Sequence, residues 1–220
     1  VADGGLWKED HYAERWYDGS VSDEVLIDQF VGLYFNVIPA DREDAVIRAI
    51  LRGENEFGIP ETWPYRTRPN FDPDGIYHNG GIWPYLLFGF CTCLYRRGRG
   101  EDAERLIKKL GYYDLEKESD YSPNEYVSGT EGRNCGKEIQ GWSADLFGTV
   151  YYGAFTVDYP DARTARICVN LPKHRDFTTR YVLPKRFGVV TITRKRGKLT
   201  VSRPQNPAYR VKLLDNPWES

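Results

Sequence analysis

The 220-residue sequence predicts a mainly α fold: helices in connected pairs over residues 1–160, then a small antiparallel β segment over 161–220. Three observations carry that reading. Apolar residues recur with a helical period in several stretches before residue 155, and Gly- and Pro-rich loops of unusual length separate the helix pairs. From about residue 165 the chain becomes β-branched, partly alternating and punctuated by Gly and Pro.

The elements follow in order. SDEVLIDQFVGLYFNVI (22–38) carries apolar residues at 25, 26, 30, 33, 34 and 37, and Ser20 with Asp23 has the spacing of a capping box. ADREDAVIRAILRG (40–53) follows, with Asp41 as expected N-cap and Gly53 as stop. After a long loop, PYLLFGFCTCLYRRG (84–98) opens on a proline that fits the first helical turn. GEDAERLIKKLG (100–111) is its more polar partner, and a second long loop leads to an expected helix at GWSADLFGTVYYGAF (141–155). One member of each pair is more apolar than the other, which predicts inner and outer helical layers. In the C-terminal segment, TRYVLPKRFGVVTITRKRGKLTVSR predicts a hairpin turning at Arg196–Gly197.

Composition excludes several classes. The chain is 40% hydrophobic and 28% charged with a net charge of −2, and its 30 basic residues are offset by 32 acidic ones. That balance argues against a nucleic-acid partner. The basic run TRKRGKL (193–199) reads as a solvated hairpin tip. No apolar run approaches the ~20 residues that span a bilayer. A soluble chain is expected, with the cytoplasm favoured but the compartment not fixed. The start at Val1 and the lack of methionine predict a processed chain or a fragment. Cys91, Cys93, Cys135 and Cys168 have no zinc-like spacing, so buried free thiols are expected, and neither a metal nor a cofactor is called for. The surplus is aromatic: six Trp and 16 Tyr exceed what this core needs, and such side chains suit sugar or base stacking.

Chemistry concentrates in the two long loops. Glu125 follows Pro123 and lies between Asn124 and Tyr126 on a Gly-rich stretch, which suits a general base; a loop carboxylate paired with Lys137 or Arg133 is the plainer alternative. Asp28 lies among apolar neighbours in LIDQF and is either a catalytic acid or a structural partner of the WYDG loop. His78 precedes two glycines that let the backbone approach another group closely, and Trp63, Tyr65, Tyr77 and Trp83 around it read as a cleft wall. Ser143 in GWSAD lacks the strand–elbow setting of a hydrolase nucleophile.

YHNGGIWP (77–84) and NEYVSGTEGRNCGKEIQGWSADLF (124–147), in that order and at that separation, resemble two motifs of the six-hairpin, (α/α)6-barrel glycoside hydrolases. The first motif is similar to a segment of neutral invertases and of amylo-α-1,6-glucosidases of the glycogen-debranching type. The resemblance covers residues 15 to 155 and implies the C-terminal part of such a barrel. It implies Glu125 as the base that activates water, His78 and Trp83 as cleft-lining residues, and Gln140 and Trp142 as the pair bringing the last helix to the cleft. The family's acid is an aspartate that most members carry further upstream. DQFVG (28–32) is similar to the acid/base stretch of bile-acid β-glucosidase-like relatives, which would give that role to Asp28.

Since the helices fall short of a closed barrel, the expected partner is a missing N-terminal part, in the same or another chain. The expected function is hydrolysis of an α-glucoside or related oligosaccharide, with Trp63, Tyr77, Trp83 and Trp142 as aromatic subsites. A sugar phosphorylase or epimerase on the same barrel, or a non-catalytic carbohydrate-binding subunit, are the alternatives.

Overall fold

A computed structural model of the chain describes residues 5–68, 71–117, 123–138, 140–184, 187–202 and 206–216. Helix α3 (Pro84–Tyr95) is its centre. It is apolar all round, and every residue from Leu86 to Tyr95 is buried. Three neighbours cover it: α1 (Phe30–Tyr34), α4 (Gly100–Gly111) and the helical run that begins at Gly141. Helix α2 (Ala40–Arg52) is amphipathic, burying Val46, Ile47, Ala49 and Ile50. In α4, Ala103, Leu106 and Leu110 point inward, while Glu101 and Asp102 open the helix and Lys108 and Lys109 close it, complementing its dipole.

The expected helix 22–38 forms only in part. Val25–Leu26 is instead strand β1, paired antiparallel with β2 (Thr62–Trp63), and a 3₁₀ turn at Ile27–Gln29 leads into α1. Val25 and Ile27 are both buried, so the local period here is two rather than 3.6. Asn36, with φ of 53°, ends the helix in the left-handed region. Ser20 therefore caps nothing and bonds Asp18 instead. Pro39 rather than Asp41 holds the N-cap position of α2, with Asp41 in the first turn, while Gly53 ends that helix as expected.

The run after Gln140 is also irregular: a 3₁₀ turn at Gly141–Asp145, α5 (Leu146–Gly148), and a π turn at Thr149–Ala154. Two contacts with α3 account for its course. Thr149 Oγ1 donates to the Phe88 carbonyl at 2.7 Å, and a Cβ on Gly153 would lie 3.0 Å from Thr92 Cα. The long loop before it folds as a hairpin, β3 (Asn124–Val127) with β4 (Asn134–Glu138).

Beyond α5 the chain forms two three-stranded sheets. One has the order β10–β6–β5 (Arg210–Asp215, Thr164–Val169, Phe155–Asp161), the other β7–β8–β9 (Phe177–Val182, Val189–Lys195, Lys198–Val201). Strand β5 crosses the junction expected at residue 160. The segment is not purely antiparallel, because β10 lies parallel to β6. With ten strands among the described residues, the fold is mixed rather than mainly α. The expected turn does form: Arg196 and Gly197 both have positive φ, 50° and 74°, between paired Lys195 and Lys198, as a two-residue hairpin requires.

The run 193–199 is not wholly solvated. Arg194 is fully buried and joins the sheets, with Nη1 donating to the Pro172 carbonyl at 2.6 Å and Nη2 paired with Asp215. Cys91, Cys93 and Cys135 are buried free thiols, whereas Cys168 is half-buried. Burial pushes the Cys93 thiol up to about 11. No helix of the described residues is long and apolar enough to cross a membrane.

Candidate active site

The two motif loops meet in space. Ile82 and Val127 exchange both backbone hydrogen bonds, at 2.8 and 2.9 Å, which docks the 124–138 hairpin beside the 75–83 turn. The glycines make this contact close enough. A Cβ on Gly129 would lie 2.1 Å from the Gly80 carbonyl oxygen, and one on Gly81 would meet Tyr77 O at 2.6 Å and the Tyr126 ring at 2.9 Å. Gly81 N–H closes the turn on Tyr77 O at 2.9 Å, with Tyr77 itself at φ of 44°.

Asn79 is the buried pin of this turn. Its Oδ1 accepts from Arg66 N at 2.6 Å, while its Nδ2 donates to the carbonyls of Arg66 and Asp72 at 3.1 and 2.8 Å. The chain can therefore present Tyr77 and His78 outward while the residue that follows them is fully buried.

An aromatic row results. The His78 ring stacks on Trp83 (5.6 Å between centroids, 19° between planes), Tyr77 and Tyr85 meet Trp83 edge-on, and Trp142 stands 6.3 Å beyond Tyr85. Tyr77, Tyr85 and Trp142 are exposed. Trp83 is buried, with Tyr126 tilted over it at 5.2 Å, so it is no open platform for a sugar. Its Nε1 is buried without a hydrogen-bond partner, and that N–H is what it has to offer. Trp63 is exposed on β2 with its Cβ against Gly53 at the end of α2, and no ring contact links it to the row among the described residues. Gln140 sets up the last helical run through its backbone, donating to Pro123 O and accepting from Ser143 N, both at 3.0 Å. Ser143 is structural: its buried hydroxyl donates to Asn124 O at 2.6 Å.

Three carboxylates lie on the surrounding elements. Asp28, on the turn before α1, faces solvent yet has enough protein around it that burial pushes its pKa up. The Glu14 charge adds to that rise, while Arg66 and the Gln29 backbone N–H oppose it. No hydrogen bond joins it to the WYDG loop among the described residues. Glu61, which sequence reasoning passed over, is also raised, mainly by burial and further by Asp28. His78 Nδ1 lies 3.1 and 3.2 Å from its two oxygens. Trp83 acts against the rise from nearby, without closing a bond of normal geometry. Tyr85 is raised by burial and by Glu61 and Asp28, which sets all three groups in one cluster.

Glu125 stands apart from that cluster. It sits at an irregularity in the β3–β4 register, and its Oε2 accepts the Lys137 backbone N–H at 3.0 Å. Arg133 pairs with Glu131 instead. Among the described residues no bond or ion pair joins Glu125 to Asp28 or Glu61. None of the His, Cys, Asp and Glu side chains described form a group of three or more that could hold a metal ion.

Glu61, Tyr85 and Tyr126 are the members that sequence reasoning missed. The available signal for Glu61 was its place in IPETWP, within the same long loop as His78.

The chain has counterparts among known proteins. The chain is 34% identical over 122 residues to the glucosylglycerate hydrolase of Mycolicibacterium hassiacum, covering 53% of this chain and 26% of that protein. It also superposes on GH63 mannosylglycerate hydrolase structures from Thermus thermophilus. The complex with Tris gives a TM-score of 0.52 at 22% identity over 67% of this chain and 35% of that one. The glucose complex gives the same score over 37% of its chain. That likeness speaks for the fold, part of a GH63-type (α/α)6 barrel. The chain thus spans about a quarter of the hydrolase and about a third of the matched structures. Residues 3–143 match the domain described as mannosylglycerate hydrolase MGH1-like glycoside hydrolase, and the chain belongs to that family.

Proposed function

We propose that this chain is part of a glycoside hydrolase that cleaves an α-linked glucoside of a small polar aglycone, of the glucosylglycerate kind, by acid/base attack of water. The observation that carries the reading is the exposed aromatic row bordered by two carboxylates whose pKa values burial has raised. A carboxyl raised in this way keeps its proton to higher pH than an ordinary one, which suits a group that gives a proton to a leaving oxygen. Asp28 takes that acid role. Glu125, on the family's second motif, is the base, and the Lys137 N–H steadies its carboxylate. Tyr77, Tyr85 and Trp142 supply the faces against which a sugar ring lies. The remaining helices of the barrel come from the rest of the same polypeptide or from a second chain.

Hydrolysis needs the two carboxylates across the scissile bond, ~6.5–9.5 Å apart for inversion and ~5–5.5 Å for retention. The test is glucose release from glucosylglycerate by the whole protein. Asp28→Asn and Glu125→Gln should each lower kcat by about 100-fold or more. Release within a few-fold of wild type in either variant removes that residue from its role. A requirement for inorganic phosphate would replace hydrolysis by phosphorolysis.

A further inference from the structure

We propose that Glu61 is a substrate-contacting residue that accepts hydrogen bonds from the hydroxyls of a sugar ring, with His78 as the positioning residue that holds its carboxylate. The proposal rests on the glycosidase reading and deepens it, since it names a contact which neither motif of that reading includes.

Comparison with three other partly buried glutamates makes the case. Glu54, Glu43 and Glu104 have side chains 15%, 25% and 15% exposed, and each is engaged by arginine or lysine: Glu54 by Arg105 and Lys109, Glu43 by Arg97, Glu104 by Arg175. Burial favours the neutral form of Glu54, but its hydrogen bonds to Arg105 and Lys109 bring its pKa below the ordinary value. Glu61 is as buried, at 19%, yet among the described residues no arginine or lysine engages it: it meets the Nδ1 of His78, a ring that is itself 53% exposed, with the Trp83 indole close by. A carboxylate offers about four acceptor positions, and one imidazole N–H fills a single one even when shared between both oxygens.

The carboxylate is also fixed in place. Glu61 N–H donates to Gly81 O at 2.9 Å and its carbonyl accepts from Ile27 N at 3.0 Å, so its backbone is clamped between the YHNGG turn and the entry to α1. Its neighbourhood adds the buried Trp83 Nε1, a donor that acts on Glu61 from nearby without closing a bond of normal geometry. Exposed Tyr77 and Tyr85 both meet the Trp83 ring edge-on. An acceptor, a donor and ring faces are what a pyranose, with its O–H groups and apolar C–H face, requires.

The experiment is a binding cycle on the full chain, titrating glucose and its 2-, 3-, 4- and 6-deoxy analogues by calorimetry. In wild type, deleting the hydroxyl that Glu61 reads should weaken binding about tenfold or more. In Glu61→Gln that same deletion should cost nothing further, while the other deletions keep their wild-type effects. An equal loss for every sugar, or none for any, overturns the contact and leaves the glycosidase reading standing. If wild type binds no sugar in the series, the contact and the glycosidase reading fall together. Should Glu61→Gln not fold, Glu61→Asp keeps the charge beside His78 and draws it back by one methylene. Loss confined to one hydroxyl then supports the contact, and uniform loss or no loss overturns it.

Discussion

Two regions of this molecule surround charged groups with protein, and they do so in opposite ways. In the β segment, Arg194 is 0% exposed but its guanidinium meets the Pro172 carbonyl and the Asp215 carboxylate, with the Phe177 ring 5.4 Å away. Beside the aromatic row, burial raises the proton affinity of both Asp28 and Glu61, the Asp28 charge raises that of Glu61 further, and the imidazole of His78 is the donor that Glu61 meets. Arg194 is answered at both of its terminal nitrogens and joins one sheet to the other. The acids are under-answered, which weakens the fold locally and leaves acceptor capacity and protons available to a ligand. Compensation, more than burial, separates a structural charge from one available for chemistry.

The largest expected effect tests the structural side. Arg194→Ala strands Asp215 beside a cavity and should cost about 3–5 kcal/mol, read as a shift in the urea midpoint. Arg194→Met with Asp215→Leu removes both charges and should recover most of that loss. If the double variant is no better than the single one, the ion pair is not what Arg194 contributes.

A smaller effect concerns the pin of the site loop. Asn79→Ala leaves Arg66 N and two carbonyls without partners in a buried position and should cost about 2–3 kcal/mol. Because Asn79 orders the turn that carries Tyr77 and His78, near-UV circular dichroism from the aromatic row should weaken with it. An unchanged spectrum would mean that Ile82–Val127 pairing suffices to hold the turn.

The smallest effect has the opposite sign. Asp28 has a raised pKa in the folded chain, so the folded state binds the proton more tightly than the unfolded one does. Stability is then fullest below the ordinary carboxylate value, about 4, and falls as pH rises through the raised value. Asp28→Asn should therefore melt slightly higher than wild type at pH 7 and show no gain near pH 4. A lower melting temperature at pH 7 would show that the Asp28 carboxylate is a satisfied structural group like that of Asp215.

How much was legible in the sequence depended on how local the cause was. Helices Pro84–Tyr95 and Gly100–Gly111 were readable because a proline start, an apolar run and end charges act within a few residues. The Arg196–Gly197 turn was readable for the same reason. The stretch 22–38 was misread, since its first residues pair with Thr62 and Trp63, a partner far away in the chain. Hairpin 124–138 looked like loop because its pairing depends on a register irregularity and on docking to Ile82. Arg194 looked solvated because nothing near it in sequence announces Asp215.

The sequence by itself determined the pairing of Pro84–Tyr95 with Gly100–Gly111, the two motif loops, the β character of the C-terminal segment and the glycines that let those loops touch. Each follows from periodicity, or from a residue type with a narrow conformational use. Only the tertiary structure decided which carboxylates share an environment, that Trp83 is covered while Tyr85 and Trp142 stand open, and that Glu61 meets His78. A pKa and an exposed ring face are properties of neighbours in space, and here those neighbours come from segments far apart in the chain.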